Sequence, residues 1–400
     1  MGPAKTDKRR LATAADATVS QSLPLGWAGA NTAPLGSSLR QEPPRTGPVT
    51  SVRSSFVKRL RIGPVELAGP AVQAALSGYS DRPMRMIAQR YGAAYTIAEV
   101  MIDQFVLAHR RGRQRTQHHL LVTDDEHPVG GQLMGSDPSQ FGPAALRLVE
   151  AGFDVIDINF GCPVKSALGG CRGGYHLSQP HLALEIIERV RTSVPAQIPV
   201  TVKMRRGIDG TDESRAQFFE IADGAFQLGA AAITVHGRTV QQRYDGPSNW
   251  EFLREVKAHV GERTVIGSGD LFSAPACMGM LRGTGVDGVS IARGAIGNPW
   301  IFAQVRALLA GEPLPPPPGV HEQREALVEH YRLAEQTYGP LHCCRIMKKF
   351  GIKYARLHPE ATLVRDAFVT VKTPEDWHAV ISRCYGDNRP GRYPEVDETV

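Results

Sequence analysis

Two cysteines lie nine positions apart in the glycine-rich segment NFGCPVKSALGGC, residues 159–171. Cysteines in such a segment can bind a metal, form a disulfide, pack as small apolar side chains or act as reactive thiols. The chain contains no CxxC pair, and the spacing from Cys162 to Cys171 is wrong for a common zinc knuckle. Six cysteines in 400 residues are too few for a disulfide scaffold. We therefore expect no metal site and reduced thiols, as in the cytoplasm.

Cys162 directly follows the apolar stretch DVIDINFG at 154–161, which also contains Asn159. A free thiol has a pKa of about 8.5, so it is mostly protonated at neutral pH and can donate a proton without further tuning. Acid catalysis beside a cofactor is therefore one use of Cys162. Packing as a small buried side chain is the usual use of a free cysteine, and the segment alone leaves both uses open.

Lys203 and His236 lie at the ends of two further apolar stretches, PVTVKMR and AAITVHGR. A buried lysine is costly unless an anion accompanies it. A reduced flavin carries such a charge near N1 and the C2 carbonyl, and the side chain of Gln132 can bond the pyrimidine edge of the same ring. Pairing of Lys203 with a carboxylate such as Glu99 or Asp157 is the alternative.

Two glycine-rich segments, GSGD at 267–270 and ARGAIGNPW at 292–300, follow the last two apolar stretches. Glycines let backbone N–H groups approach an anion, and a helix that starts nearby adds the positive end of its dipole. Arg293 adds a charge-assisted hydrogen bond. The two segments together predict a phosphate site, against the alternative of two ordinary turns that contain glycine.

Short apolar runs alternate with amphipathic helical segments between residues 60 and 302, and this pattern must position the side chains above. Such alternation predicts an α/β fold with a parallel sheet. After VELAG (65–69) in a leading hairpin, the predicted strands are VQAAL (72–76), AAYTIAEV (93–100), PVGGQLMG (128–135), DVIDINFG (154–161), PVTVKMR (199–205), AAITVHGR (231–238), TVIGSGD (264–270) and DGVSIARG (287–294). Eight such units in roughly 240 residues match a (β/α)8 TIM barrel, whose active site lies at the carboxyl ends of the strands. A doubly wound open sheet is the competing fold, but no GxGxxG segment opens its first helix.

Composition changes on both sides of the barrel region. Residues 1–57 are rich in Ser, Ala, Pro and Arg and predict a disordered tail, with an organelle transit peptide or a misplaced start codon as alternatives. The barrel domain is expected over 58–310, then a Pro-rich linker at 311–319, a small all-helical C-terminal domain at 320–390 and a tail at 391–400. No secretory signal and no apolar run of the roughly 18 residues that a membrane helix needs is present. We therefore expect a cytoplasmic protein with no membrane partner.

The predicted C-terminal helix RIMKKFGIKYAR, residues 345–356, contains no acidic residue. Its cations within one arc of the helix are Arg345, Lys348, Lys349 and Arg356. Such a stripe binds nucleic-acid phosphates, and a solvated helix face is the alternative. Gly351 weakens the helix. The run RRGRQR at 110–115 is a second basic cluster with the same two interpretations.

At these residues the chain resembles the tRNA-dihydrouridine synthase family, flavin-dependent reductases that act on uridine in tRNA. The likeness runs from about Arg61 to Phe302 and more loosely to about residue 365. It is carried by SGYSDRPMR (77–85), DINFGCPVK (157–165), VKMRRG (202–207), ITVHGRT (233–239) and DGVSIARGAIGNPWIF (287–302). Each motif alone is unspecific, whereas the combination is highly specific.

The resemblance implies FMN as the cofactor, NADPH or NADH as its reductant and tRNA as the partner; we also expect a monomer. In the family-type mechanism NADPH reduces FMN, N5 passes a hydride to C6 of a flipped-out uridine, and Cys162 protonates C5. The implied flavin contacts are Ala75, Leu76, Ser77, Gln132, Lys203, His236, Ser268, Gly269, Asp270, Ala292 and Arg293. The implied substrate contacts are Asn159 and Arg205 near the uracil, with Arg345, Lys348, Lys349 and Arg356 on the RNA backbone.

The chain departs from the family pattern at several positions. ALSG at 75–78 replaces a strand end that usually carries Pro-Met before Ala-Gly. Ser268 and Ala292 stand where the family has Asn and Gly, and both are small enough to keep a phosphate site. The largest departure is CRGGYH at 171–176, where the family usually has Gly-Ala-Gly-Ala-Ala-Leu. The role of Cys171 therefore stays open.

Two other functions are compatible with the same fold. A flavin barrel reductase of a free pyrimidine, similar to the dihydroorotate and dihydropyrimidine enzymes, has no need of the basic helix. An RNA-binding protein with an inactive barrel has no need of Cys162, Lys203, His236 and Arg293. We therefore expect a tRNA-modifying reductase.

Overall fold

The computed structural model of the protein describes residues 59–108 and 117–394. The tail predicted at 1–57, the basic run at 110–115 and the chain from residue 395 onward lie outside these residues. In the part that is described, no helix is both long enough and apolar enough to cross a membrane.

Parallel strands close into a barrel, as the apolar runs predicted. The strands are the antiparallel hairpin β1 (Arg61–Ile62) and β2 (Val65–Glu66), then β3 (Ala71–Gln73), β4 (Thr96–Ile97), β5 (Met101–Ile102), β6 (Val129–Met134), β7 (Val155–Phe160), β8 (Val200–Arg205), β9 (Ala232–His236), β10 (Thr264–Ser268) and β11 (Gly288–Ile291). Strand β4 pairs with both β3 and β6, which closes the ring. Strands β4 and β5 both pair with β6, β4 near the start of β6 and β5 near its end. The two short strands therefore occupy a single strand position in the barrel. The TIM-barrel prediction is confirmed.

Helices surround the barrel. They are α1 (Arg82–Arg90), α2 (Asp103–Ala108), α3 (Pro138–Glu150), α4 (Lys165–Leu168), α5 (Pro180–Ser193), α6 (Asp212–Gln227), α7 (Trp250–Val260), α8 (Ala274–Thr284) and α9 (Trp300–Leu309). Several begin at a residue whose side chain accepts a backbone N–H of the first turn: Asp81 before α1, Thr211 before α6 and Asn249 before α7. These caps fix where each loop ends and so keep the loop residues at one end of the barrel.

The strands are buried on both faces, since β6 and β7 contain no exposed residue. This explains why the sequence shows continuous apolar runs instead of an alternating pattern. The first predicted strand was too long, because VQAAL is extended in the sheet only to Gln73. Ala75, Leu76 and Ser77 therefore belong to the loop after β3.

Four helices follow the barrel: α10 (Val320–Tyr338), α11 (Pro340–Tyr354), α12 (Ala361–Thr370) and α13 (Pro374–Cys384). Residues 312–319 before them, within the proline run, have no regular secondary structure. Gly351 lies inside α11, where a Cβ would come within 2.5 Å of the Phe368 ring. The glycine that weakens α11 is thus also the residue that lets α12 pack against it.

Helix α11 contacts the loop after β11. Gly297 has a φ of +70°, and a Cβ there would lie 2.5 Å from the backbone of Lys353 and Tyr354. Arg356 donates to the carbonyl of Ile296 at 2.9 Å. The end of α11 and the turn that follows it therefore lie against a loop at the carboxyl end of the barrel.

Candidate active site

A cavity of about 450 Å³ opens at the carboxyl ends of the barrel strands. All eleven flavin contacts implied by the resemblance line it: Ala75, Leu76, Ser77, Gln132, Lys203, His236, Ser268, Gly269, Asp270, Ala292 and Arg293. Cys162, Asn159, Arg205 and Arg356 line it as well, whereas Arg345, Lys348 and Lys349 do not. Side chains that are far apart in the sequence thus converge on one cavity.

A chain of buried hydrogen bonds fixes the side-chain amides of Gln132 and Asn159. Thr201 Oγ1 and Gln132 Nε2 donate to the two carboxylate oxygens of Asp157, at 2.5 and 2.7 Å. Asn159 Nδ2 donates to Gln132 Oε1 at 2.7 Å, and its Oδ1 accepts from the N–H of Gly161 at 2.9 Å. Burial raises the pKa of Asp157 to about 6, and the two hydrogen bonds it accepts oppose that rise. Both amides are therefore held in one orientation at the cavity wall.

The ammonium group of Lys203 faces the cavity. Asp157 accepts hydrogen bonds from Thr201 and Gln132, and its negative charge also raises the pKa of Lys203. Glu99 lies 3.6 Å from His119. Burial, and then the neighbouring positive charge of Arg205, lowers the pKa of Lys203 to about 8. The amine remains largely protonated at pH 7, so an anion in the cavity would be stabilised by it.

His236 is a neutral hydrogen-bond donor toward the cavity. Its Nδ1 accepts from the backbone N–H of Arg238 at 3.2 Å, which places the ring proton on Nε2. Burial, followed by the charges of Lys203 and other cations, lowers the pKa of His236 well below its usual value. A Cβ at Gly269 would lie 3.3 Å from Nε2, so the loop after β10 approaches the ring closely.

Asp270 connects the two glycine-rich loops. Its backbone has a φ of +57°, and its carboxylate pairs with Arg238 at 2.8 Å. The N–H of Ser248 donates to it at 2.7 Å, and Arg293 lies 3.8 Å away. The Arg293 guanidinium also lies over the ring of Phe272, 4.9 Å from its centroid. Asp270 therefore holds Arg238 tightly and leaves Arg293 at the cavity wall.

The glycines of these loops permit backbone contacts that a side chain would block. A Cβ at Gly294 would collide with the carbonyl oxygen of Leu271. The loop after β11 continues as a three-residue 3-10 turn at Arg293–Ala295, and α9 begins only at Trp300. The helix dipole expected beside this loop is therefore replaced by a short turn, and Arg293 supplies the positive charge.

The segment CRGGYH packs directly against Cys162. The carbonyl of Cys162 accepts from the N–H of Gly174 at 3.0 Å, and a Cβ at Gly173 would lie 2.7 Å from the Cys162 Cβ. Cys162 is partly exposed, whereas Cys171 is exposed and has a left-handed φ of +53°. All six cysteines are free thiols. The two glycines of the segment thus shape the Cys162 loop, and Cys171 points to solvent.

Arg205 ties together two loops around Cys162. Its guanidinium group donates to the carbonyls of Gly161, Thr239 and Arg243, at 3.1, 2.8 and 2.6 Å. Burial lowers its pKa to about 10, so it stays charged at neutral pH. Arg205 therefore fixes the residue that precedes Cys162 while its side chain lines the cavity.

The cations of the basic helix do not form one outward stripe. Lys349 donates to the carbonyl of Gly78 in the loop after β3, and Arg356 reaches the cavity wall. Arg345 is exposed and Lys348 is half-buried. Two of the four predicted RNA contacts therefore turn toward the barrel.

The model of the family described as dihydrouridine synthase (Dus) matches residues 72–388, a range that includes both the barrel and the C-terminal helices. The chain belongs to this family. The protein named "Probable tRNA-dihydrouridine synthase" of Mycobacterium tuberculosis is 33% identical over 333 residues, covering 82% of this chain and 85% of that relative. The protein named tRNA-dihydrouridine synthase B of Xanthomonas campestris is 33% identical over 316 residues, covering 79% and 92%.

Among solved structures, morphinone reductase in complex with tetrahydroNAD aligns with a TM-score of 0.47 at 15% identity. The alignment covers 66% of this chain and 92% of that chain.

Tyr244 and Lys353 are among the cavity residues of this Dus family member that the sequence did not predict. Tyr244, in the loop after β9, lies under the guanidinium groups of Arg205 and Arg293, 5.5 and 4.7 Å from its ring centroid. Lys353 belongs to the basic helix and also lines the cavity. The signal for Tyr244 was an aromatic residue in a polar loop just beyond a strand end. The signal for Lys353 was its place between Lys349 and Arg356.

Proposed function

We propose that this protein is a tRNA-dihydrouridine synthase that uses FMN, reduced by NADPH or NADH, to saturate the C5=C6 bond of a uridine in tRNA. The observation that carries the proposal is the convergence of Cys162, Lys203, His236 and Arg293 on one cavity in a Dus family chain. Asn159 and Arg205 stand beside Cys162 and are proposed to contact the uracil.

The residues of the cavity fit an FMN molecule. The loop after β3 contributes small and apolar side chains, which suits a flat ring system. The ammonium of Lys203 and the Nε2–H of His236 offer hydrogen bonds to the electron-rich edge of such a ring or its tail. Arg293 and the closely packed glycine loops suit a phosphate group. A flavin bound here would supply the hydride for C6 of the uracil.

Cys162 is proposed to supply the proton that C5 receives. A thiol can donate this proton from Sγ, and water can return a proton to the sulfur after transfer. One hydride and one proton together saturate the C5=C6 bond, so the step is balanced. The bonds from Gly174 and Arg205 hold the loop that presents the thiol. A uridine must leave the RNA stack to reach the thiol, because the cavity lies at the bottom of the strand-end loops.

Absorption spectra and tRNA analysis test this proposal. We expect the purified protein to bind a flavin with an absorption band at about 450 nm. The band should bleach with NADPH and return when unmodified tRNA is added, with dihydrouridine as the product by mass spectrometry. A protein that binds tRNA without flavin would instead be an inactive RNA-binding barrel. Oxidation by free pyrimidines and not by tRNA would identify a free-pyrimidine reductase.

A further inference from the structure

Positive charge dominates the wall of the cavity. Among the described residues that line it, the cations are Lys203, Arg205, Arg293, Lys353 and Arg356, whereas the carboxylate is that of Asp270. Asp270 is already paired with Arg238 at 2.8 Å. An excess of this kind favours a ligand with several negative charges.

Two of these cations come from outside the barrel. Lys353 lies in the last turn of α11, and Arg356 lies in the 3-10 turn Ala355–Leu357 that follows. Arg356 donates at 2.9 Å to the carbonyl of Ile296, which is three residues beyond Arg293 in the chain. Gly297 allows the backbone at Lys353 to approach this loop, which no side chain at that position would permit. The position of both cations beside the Arg293 turn is thus set by backbone packing.

We propose that Lys353 and Arg356 complete, together with Arg293, a phosphate-binding wall to which α11 contributes directly. The proposal rests on the proposed function, because it takes the ligands of this cavity to be FMN and tRNA. Both ligands carry phosphate oxygens, and guanidinium and ammonium groups bind such oxygens by charge-assisted hydrogen bonds. The basic helix is then part of the ligand cavity as well as a surface for RNA.

Binding measurements on the full-length Lys353→Ala variant test the proposal. The dissociation constants of FMN and of riboflavin, which lacks the phosphate, are measured by quenching of flavin fluorescence, and that of tRNA by fluorescence anisotropy at several salt concentrations. If the wall holds the FMN phosphate, we expect FMN affinity to fall about tenfold while riboflavin affinity is unchanged. If it holds an RNA phosphate, tRNA affinity falls about tenfold with a weaker salt dependence, and FMN affinity is unchanged.

Two further variants serve as controls for the loss of charge at Lys353. Lys353→Arg keeps the charge and should retain the affinity that Lys353→Ala loses. Lys372→Ala removes the same charge from an exposed residue of the helical region and should change none of the three constants. Equal weakening of FMN and riboflavin, or no change for any ligand, would overturn the phosphate wall. A wild-type protein that binds neither flavin nor tRNA would contradict the proposed function itself, and the inference with it.

Discussion

Asn159 in β7 donates its side-chain amide to Oε1 of Gln132 in the neighbouring strand β6 at 2.7 Å, and its Oδ1 accepts from the N–H of Gly161, the residue before Cys162. The other end of Gln132 donates to the buried carboxylate of Asp157 at 2.7 Å. Because Asp157 can only accept while it is ionised, the direction of both bonds follows from its charge. A single carboxylate beneath the cavity thus sets the orientation of two amides.

The substitution Asn159→Asp should disrupt the hydrogen-bond chain that joins Asp157, Gln132 and residue 159. The new carboxylate would face Gln132 Oε1, and rotation of the Gln132 amide would only turn that oxygen toward Asp157. We expect a loss of about 1–3 kcal/mol in the free energy of unfolding at pH 7, since an acceptor is left facing an acceptor. The loss should shrink toward pH 5, where one carboxyl group binds a proton and becomes a donor. Urea unfolding at both pH values measures it.

Asn388→Asp is the matched control for this substitution. Asn388 is exposed, and its Oδ1 accepts from the N–H of His321, a bond that a carboxylate can keep. A loss as large as that of Asn159→Asp, or a loss that does not depend on pH, would mean that the buried hydrogen-bond chain is not responsible.

Cys162→Ala should abolish dihydrouridine formation and leave flavin reduction by NADPH intact. Removal of a proton donor costs about a hundredfold or more in turnover, whereas reduction of the flavin needs no thiol in this proposal. Stopped-flow absorbance for flavin reduction and single-turnover analysis of tRNA separate the two steps. If flavin reduction is lost as well, Cys162 has a structural role.

Cys171 offers the contrasting case within the same segment. Cys171→Ala should keep turnover close to that of the wild type, because Cys171 is exposed and does not line the cavity. Cys171→Gly should raise the free energy of unfolding by about 0.5–1 kcal/mol, since glycine adopts a positive φ without strain. Turnover as low as that of Cys162→Ala would overturn this division between the two cysteines.

Lys203→Met should stabilise the flavin-free protein at pH 7 and weaken flavin binding. The pKa of Lys203 is about 8 in the folded protein, below the usual value, so folding disfavours its protonated form. Below pH 8 the buried positive charge of Lys203 lowers the free energy of unfolding. This loss of stability disappears as the pH rises from about 8 toward 10.5. Each pKa unit corresponds to about 1.4 kcal/mol, so we expect a gain of about 1–3 kcal/mol at pH 7.

Denaturant unfolding of the flavin-free proteins at pH 7 and pH 10 measures this effect. The stability difference between Lys203→Met and the wild type should be larger at pH 7 than at pH 10, because the wild-type lysine loses its charge between these values. A difference that is constant with pH would show that lost contacts, and not the buried charge, explain the change. Flavin titration of both proteins gives the accompanying loss of affinity.

The sequence predicted most of the barrel because buried parallel strands are encoded locally, as runs of Val and Ile. The same runs predicted that Lys203 and His236 share one cavity, since parallel strands end at one edge. Strand β5 was missed because it is a two-residue segment that only its pairing with β6 defines. A local sequence pattern is enough to predict a strand that is buried along its whole length. It cannot predict a two-residue strand that exists only because a neighbouring strand pairs with it.

The C-terminal contribution to the cavity could not be predicted from the sequence. The helical period placed Lys349 and Arg356 on one side of a single helix, but Arg356 lies in the 3-10 turn after α11, and the packing of this region depends on Gly297 and Gly351. These glycines act by allowing contacts between segments distant in the chain. A local pattern carries no information on such contacts, and Lys353 was left out because it falls outside the helical arc that the other four cations share.

Gly294→Ala should lower flavin affinity by about tenfold and destabilise the fold by about 1–3 kcal/mol. A Cβ at this position collides with the carbonyl oxygen of Leu271, so the two glycine-rich loops must separate. Gly283→Ala is the matched control, because a Cβ there meets no atom within 4 Å and the residue lies in α8. That control should gain about 0.5–1 kcal/mol from helix propensity and keep its flavin affinity. If both variants bind flavin as the wild type does, contact between the loops is not what forms the site.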